Sequence, residues 1–424
     1  MSKVISRDPR HQNYRYTLTT LSPLHIGTGE ELLPVEYYLD KGQNRIIIPE
    51  LEKVFSSNPQ QANTFLSNLA STQNKLGKTL NELFTDHRAI LNPENWCYAT
   101  RETDSPGPYK HAFKQLPEEL KKNNGKLRLA TKTTDYHVYI PGSSIKGALR
   151  TAWLYYQCLN NKEVLKQVAL AQRDKFADSD LNRNFLQGEG DPKDKAYDLF
   201  RVLQVGDSQT QAAKEVLGIV GEQILNATDS AWIALEKKRA ETVDSFKNSW
   251  TFYEAIRRDA LFCGKLNFDI GLLTDPKAIR KMGWYEDQQS FSLAKLCQAT
   301  NEFAKDICQW EIKYFNRIKD RQSLCNVDEV IKFYQKLLPE INSASSTNTI
   351  YLSLGHSSGW HKLTIGLLLE KHLSTKEFQD LREKFFLAQR HLDFEYPKTR
   401  KLPMSDQNKA ARPFGWVKIV FDKE

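Results

Sequence analysis

The stretch Ile140-Pro-Gly-Ser-Ser-Ile-Lys-Gly-Ala-Leu-Arg150 holds the pattern on which the fold turns. Before it, Val138-Tyr-Ile140 has the β-branched and aromatic content of a strand. After it, Leu149, Trp153 and Leu154 share one face of a helix expected from about Ile145 through Lys166. A strand therefore gives way to a helix through a glycine–serine turn. Backbone N–H groups in such a turn can approach an anion closely, and the helix N-terminus adds partial positive charge. Lys146 and Arg150 stand in the first turns, where cations are unfavourable for the helix itself. A phosphate partner explains that placement. The alternative is a simple capped turn, with Ser143 or Ser144 as N-cap.

Working outward, two further glycine-rich turns share this character: Gly27-Thr-Gly29, and Gly355-His-Ser-Ser-Gly359. Neither the Gly142 nor the Gly355 turn is a nucleotide P-loop; Gly359, for one, is followed by Trp360-His361 instead of Lys-Ser or Lys-Thr. The candidate phosphate-contacting residues are Gly27, Gly29, Gly142, Ser143, Ser144, Lys146, Arg150, Gly355, His356, Ser357, Ser358, Gly359, Trp360 and Lys362. His25, at a strand end beside Gly27, could act as a general base, bond a ligand or be structural.

The segment Tyr396 to Lys418 adds Lys398, Arg400, Lys401, Lys409, Arg412 and Lys418 against Asp406 alone, flanked by Phe414 and Trp416. Basic residues interleaved with aromatics fit a surface that tracks a phosphate backbone and stacks bases. A solvated basic loop feeding an edge strand fits the same residues.

Bulk composition permits this reading without requiring it. In 424 residues, 60 Lys and Arg against 52 Asp and Glu leave a net charge of +8, a mild excess. Hydrophobic residues at 40% suffice for a packed core. No run approaches the roughly 20 apolar residues that span a bilayer, and the polar N-terminus is no signal peptide; a cytoplasmic protein is expected. The six cysteines include no Cys-x-x-Cys pair, and no His-Glu-x-x-His or nucleophile elbow occurs. No metal, cofactor or catalytic residue is assigned.

Strand and helix signals alternate twice along the chain, with hairpins in each half. That pattern predicts an α+β fold of two ferredoxin-like, RRM-like (split βαβ) domains with helical insertions. The first spans 10–205 with an insertion at about 56–135; the second spans 206–424 with a helical insertion at about 275–345. Thr103 to Asp135 reads as a mobile loop or extended arm, and 172–196 as an exposed connection. Trp250–Ile256 and Leu261–Leu272 read as paired strands, and Asp207-Ser208 as a turn or N-cap before a helix at Ala212.

Leu24-His-Ile-Gly-Thr-Gly29 followed by Tyr139-Ile-Pro-Gly-Ser-Ser-Ile-Lys-Gly-Ala-Leu-Arg-Thr151 resembles the RAMP superfamily of CRISPR proteins. Val205-Gly-Asp-Ser208, Leu354-Gly-His-Ser-Ser-Gly-Trp360, Lys398-Thr-Arg-Lys401 and Pro413-Phe-Gly-Trp-Val-Lys418 follow in order. Together they resemble the family of fifth Csm subunits of type III-A systems, from about residue 14 to 421. The resemblance implies RRM-like domains and a place at the end of a backbone filament. It also implies contact with the 3′ region of the CRISPR RNA and with other Csm subunits, above all the repeating backbone RAMP subunit. A host ribonuclease is a further implied partner in 3′ maturation. The related backbone subunit cuts RNA with an aspartate after its Ile-Gly motif; Glu30-Glu-Leu-Leu-Pro-Val-Glu36 has none, and Glu36 is the nearest candidate. The expectation is a non-catalytic RNA-binding subunit; the alternatives are an endoribonuclease or a pure scaffold.

Overall fold

In the strand His11–Thr20, Tyr16, Leu18 and Thr20 are buried while Asn13 and Arg15 face solvent. This is the period-two alternation of a strand with one covered face. The structure is a computed structural model that describes residues 10–70, 79–103, 106–122, 124–159, 161, 163, 165–166, 179–189, 197–226, 245–246, 249–320, 326–344, 347–387, 396–397 and 399–424. Lys398 and most of 172–196 lie outside the described residues.

His11–Thr20 lies at the centre of a five-stranded sheet. Its order is Thr349–Ser353, Trp416–Lys423, His11–Thr20, Leu261–Asp269, Leu203–Val205, with every neighbouring pair antiparallel. The helix Gly142–Leu159 connects its first two strands along the chain, and the helices Leu293–Asp320 and Asp328–Ser343 follow the third. Four of the strands with these helices form a split βαβ unit. Trp416–Lys423 takes the place beside the first strand, and Thr349–Ser353 adds an outer edge. Ile145, Leu149 and Trp153 of Gly142–Leu159 join Leu18, Phe262 and Leu266 of the sheet in one core.

A seven-stranded sheet follows the path Lys409–Ala410, Thr399–Asp406, Leu217–Asn226, Thr251–Ile256, Leu127–Ala130, Gly27–Leu32, with Ser245–Phe246 added against Leu217–Asn226. One pair in it, Thr251–Ile256 with Leu127–Ala130, is parallel. The two sheets share a core, in which Tyr16 and Leu18 lie in the same cluster as Leu127, Leu217 and Phe252. Both sheets take strands from either side of residue 205, so they interleave along the chain and do not part there.

Three sequence readings are corrected. Thr103 to Asp135 is not an extended arm. Its helix Pro108–Lys121 buries Ala112, Phe113, Leu116 and Leu120 against Leu217–Asn226 and Thr399–Asp406, and Leu127–Ala130 fills a sheet position. Lys110, Lys114, Glu118 and Lys121 lie toward the outer side of an amphipathic helix, while Glu119 is buried and holds Lys122 at 2.7 Å. Thr251–Ile256 and Leu261–Asp269 are strands but do not pair; the turn between them passes the chain from one sheet to the other. Asp207 does not cap a helix at Ala212. Its carboxylate accepts from the N–H of Gly142 at 2.7 Å.

One of the hairpins expected in the first half forms with Tyr38–Asp40 and Arg45–Pro49, and Trp96–Ala99 completes a three-stranded sheet. Ile47, Val54, Phe65, Leu83 and Phe84 give it a core of its own. Leu293–Asp320, expected within an insertion, packs on Gly142–Leu159 and Thr349–Ser353. Among the described residues, no helix is long and apolar enough to cross a membrane.

Candidate nucleic-acid interface

The strand Thr349–Ser353 runs into Gly355, whose φ of +68° is the left-handed region that favours glycine. A Cβ there would lie 2.2 Å from the carbonyl oxygen of His25. The next residue, His356, donates its backbone N–H to that oxygen at 2.8 Å. The first and third glycine motifs are thus one junction, closed by a contact only a residue without a side chain allows.

Side chains from several strands surround the junction. The rings of Tyr253 and His356 stack with centroids 4.3 Å apart, and His25 meets Tyr253 edge-on at 4.9 Å. His356 Nε2 lies 2.5 Å from Glu222 Oε2. Tyr253 Oη donates to Glu222 Oε1 at 3.3 Å and accepts from Arg128 Nη1 at 3.0 Å. Arg128 Nε donates to Glu31 at 3.0 Å. His25 is buried, and Nδ1 lies 2.7 Å from the Glu254 carbonyl oxygen. Burial first, then the cations of Arg128 and Lys132 and nearby His356, pull its pKa down to about 4. At neutral pH its imidazole is uncharged, with Nδ1–H donating. Glu254 is fully buried, and its carboxylate accepts from Tyr98 Oη at 2.7 Å, from Ala130 N–H at 2.9 Å and from the Lys132 ammonium.

Two hollows flank His356. One, of about 460 Å³, is lined by His25, Gly27, Gly29, Glu31, Arg128 and His356, among others. The other, of about 300 Å³, is lined by His356, Ser357, Trp360, Lys362, Arg400 and Lys401, among others. Because they share His356, they read as one groove over the joined motifs.

The sequence-predicted residues fall into three groups. Gly27, Gly29, Gly355, Gly359 and Lys401 are exposed at the groove. Ser357 Oγ donates to the Lys401 carbonyl at 2.8 Å, and Ser358 Oγ to that of Gly355 at 2.7 Å, so both serines shape the loop. Arg400 turns inward, with Nε 3.2 Å from Glu311 and its guanidinium 4.0 Å over the Tyr314 ring. Arg412 lines a separate hollow with Arg258, Lys332 and Lys336. Phe414 and Trp416 are fully buried and cannot stack bases.

The second motif does not line the groove. A Cβ on Gly142 would lie 2.2 Å from the Val205 carbonyl oxygen, and the Asp207 carboxylate takes the helix N-terminus where a phosphate was expected. Ile140 N–H donates to Ser208 Oγ at 2.9 Å. Arg150 Nη2 lies 3.1 Å from Asp198 and 3.1 Å from Asn182, so its charge is answered within the chain. Ser143 is exposed, and Ser144 and Lys146 are half-buried. Glu36, the alternative catalytic candidate, accepts the Leu33 N–H at 2.6 Å in an exposed turn.

Arg128, Tyr253 and Glu222 were missed, being single residues on three different strands. The one signal was a charged residue within the apolar run Leu127–Ala130; both Arg128 and Leu129 line the hollow.

A glycine-rich junction on a split βαβ scaffold defines a class, and the RAMP superfamily model matches residues 17–359. The chain belongs to the RAMP superfamily. Within that class it is similar to the CRISPR system Cms protein Csm5 of Methanocaldococcus jannaschii, at 27% identity over 94% of this chain and 87% of that protein. In fold it is similar to a chain of a cryo-EM structure of a Csm–crRNA–target RNA ternary complex of a type III-A CRISPR-Cas system. The TM-score is 0.63 at 23% identity, over 96% of this chain and 100% of the other. It is also similar to the crystal structure of T. onnurineus Csm5, with a TM-score of 0.59 at 19% identity, over 95% and 99% of the two chains.

Proposed function

We propose that the chain is a Csm5-type subunit of a type III-A CRISPR complex, holding the 3′ region of the CRISPR RNA without cutting it. In this reading it caps the backbone filament beside the last repeating backbone subunit and assists 3′ maturation, with trimming left to a host ribonuclease. The observation that carries the reading is the joining of the Leu24–Gly29 and Leu354–Trp360 motifs into one groove with exposed glycine backbone and Lys401 exposed at its rim. Such a surface cradles phosphates and needs little base reading, because the guide itself reads sequence by pairing. The non-catalytic part is supported by the buried His25, whose Nδ1 meets a backbone carbonyl, and by Glu36, which is engaged in its own turn; among the described residues neither is hydrogen-bonded to a side-chain acid or base.

The test is titration of labelled CRISPR RNA with the full chain, alone and with the backbone subunit, at several salt concentrations. Binding that weakens steeply with salt is expected, with ultraviolet crosslinks in 25–29 and 355–362 and no cleavage products. Absence of salt-sensitive binding in both settings would sink the reading.

A further inference from the structure

The hollow of about 460 Å³ over the joined motifs carries a charge pattern at odds with phosphate binding. Among the described residues that line it, Glu30 and Glu31 are acidic and Arg128 is the only lysine or arginine. His25 is uncharged at neutral pH, and His356 is turned to the buried Glu222 at 2.5 Å.

Arg128 is already engaged. Its Nε donates to Glu31 Oε1 at 3.0 Å, and its Nη1 to Tyr253 Oη at 3.0 Å. Lys126 Nζ donates to Glu31 Oε2 at 3.3 Å. One carboxylate thus holds two cations, one on each oxygen. The Arg128 hydrogen bond, followed by that of Lys126, keeps the Glu31 carboxyl below the usual carboxylate range, so it is ionised at neutral pH. Such a carboxylate offers a guanidinium the same charge and acceptor oxygens that a phosphate does.

The surroundings of Glu31 suit its displacement. Gly27 through Glu31 are exposed, and Gly27–Leu32 ends the path of the seven-stranded sheet. Its pairing with Leu127–Ala130 shifts register between Gly27 and Glu31. The side chains of Glu31, Arg128 and Lys126 are 33%, 42% and 60% exposed, and ion pairs in contact with water are held weakly. When Glu31 leaves, Tyr253 Oη still accepts from Arg128 and keeps the guanidinium at the groove.

We propose that Glu31 stands in for a phosphate in the free groove, holding Arg128 until an RNA phosphate takes its place. The carboxylate is then an internal competitor that RNA must displace. The proposal rests on the RNA-binding reading above and adds how that site is regulated.

The full chain and its Glu31→Gln variant are titrated with a labelled single-stranded RNA at low and moderate salt. Glu30→Gln is the control. It removes the same charge from the same hollow, but the Glu30 carboxylate meets Thr28 and, among the described residues, no cation. Glu31→Gln should bind about fivefold tighter than the wild type at low salt, the upper end for an exposed ion pair. Glu30→Gln should gain about twofold or less, the effect of net charge alone. The gain from Glu31→Gln should shrink with added salt, which screens the pair it removes. Most of it should vanish in an Arg128→Gln background. Both glutamine variants should melt with the wild type.

Equal gains from Glu31→Gln and Glu30→Gln would overturn the competitor role, as would an undiminished gain in the Arg128→Gln background. Weaker RNA binding by Glu31→Gln, with binding of a DNA of the same sequence unchanged, would make Glu31 an acceptor for the ribose 2′-hydroxyl and overturn the role as well. In each of these cases the wild type still binds RNA, so the function proposed above stands. Absence of salt-sensitive binding by the wild type and every variant would sink that function and this inference together.

Discussion

The backbone N–H of His356 donates to the carbonyl of His25 at 2.8 Å, tying a loop near the start of the chain to one near its end. Gly355 permits this approach, since a Cβ there would sit 2.2 Å from the same oxygen with φ at +68°. Gly355→Ala is therefore expected to cost about 2 kcal/mol or more of stability, read by urea denaturation, and to weaken RNA binding. Gly147→Ala is the control. Apart from its chain neighbours and its own helix backbone, nothing lies within 4 Å of a Cβ added there, and the variant should gain about 0.5–1 kcal/mol. Equal tolerance at both positions would refute the junction.

Beneath the junction, Glu254 is the more consequential carboxylate. It is fully buried and answers Lys132, Tyr98 and the Ala130 N–H together. Glu254→Gln leaves the Lys132 ammonium, itself only 7% exposed at the side chain, without its counter-charge. A loss of about 3–5 kcal/mol is expected, large against the stability of an ordinary domain. Lys132→Met should cost less than Glu254→Gln, because Tyr98 and Ala130 still donate to the remaining carboxylate. The two denaturation curves decide the order.

Stability should fall on mild acidification, and His25 gives the sign. Its pKa is about 4 in the fold against 6.5 unfolded, so the unfolded chain takes up the proton first. The stability that the neutral imidazole contributes is present in full above pH 6.5 and is lost as pH falls toward 4, up to about 3 kcal/mol. His25→Asn, which keeps a donor for the Glu254 carbonyl but cannot titrate, should flatten the loss between pH 7.5 and 5. An unchanged slope would place the titrating group elsewhere.

How much of this was legible depends on distance along the chain. The strand His11–Thr20 and the helix Leu293–Asp320 announce themselves because each carries its own period. Sheet membership does not: Thr251–Ile256 and Leu261–Asp269 look like a hairpin, and only partners far away in sequence assign them to different sheets. The glycine motifs were legible as places of close approach, but what approached was not. At Gly142 it is Val205, and at Gly355 it is His25. Charge counting overstated the Tyr396–Lys418 segment, because composition cannot say that Arg400 faces Glu311 on a buried helix face. Arg128 and Tyr253 gave no motif because the site draws isolated side chains from strands far apart in sequence.

Lys401 separates a groove that binds RNA from one that is merely basic. It is exposed at the rim, and its carbonyl, held by Ser357 Oγ at 2.8 Å, fixes the backbone beneath it. Its neighbour Arg400 is spent on Glu311, so the two cations should behave differently. Lys401→Ala removes one phosphate contact and little structure. It should weaken RNA binding at low salt and reduce the slope of log affinity against log salt by about one, with Tm unchanged. Arg400→Ala should instead lower Tm, because it leaves the buried Glu311 carboxylate without its bound guanidinium, and any loss of RNA binding should follow that loss of structure. If Lys401→Ala leaves the salt slope unchanged while Arg400→Ala reduces it in a fully folded variant, the phosphate contacts lie deeper than the rim and the surface assignment fails.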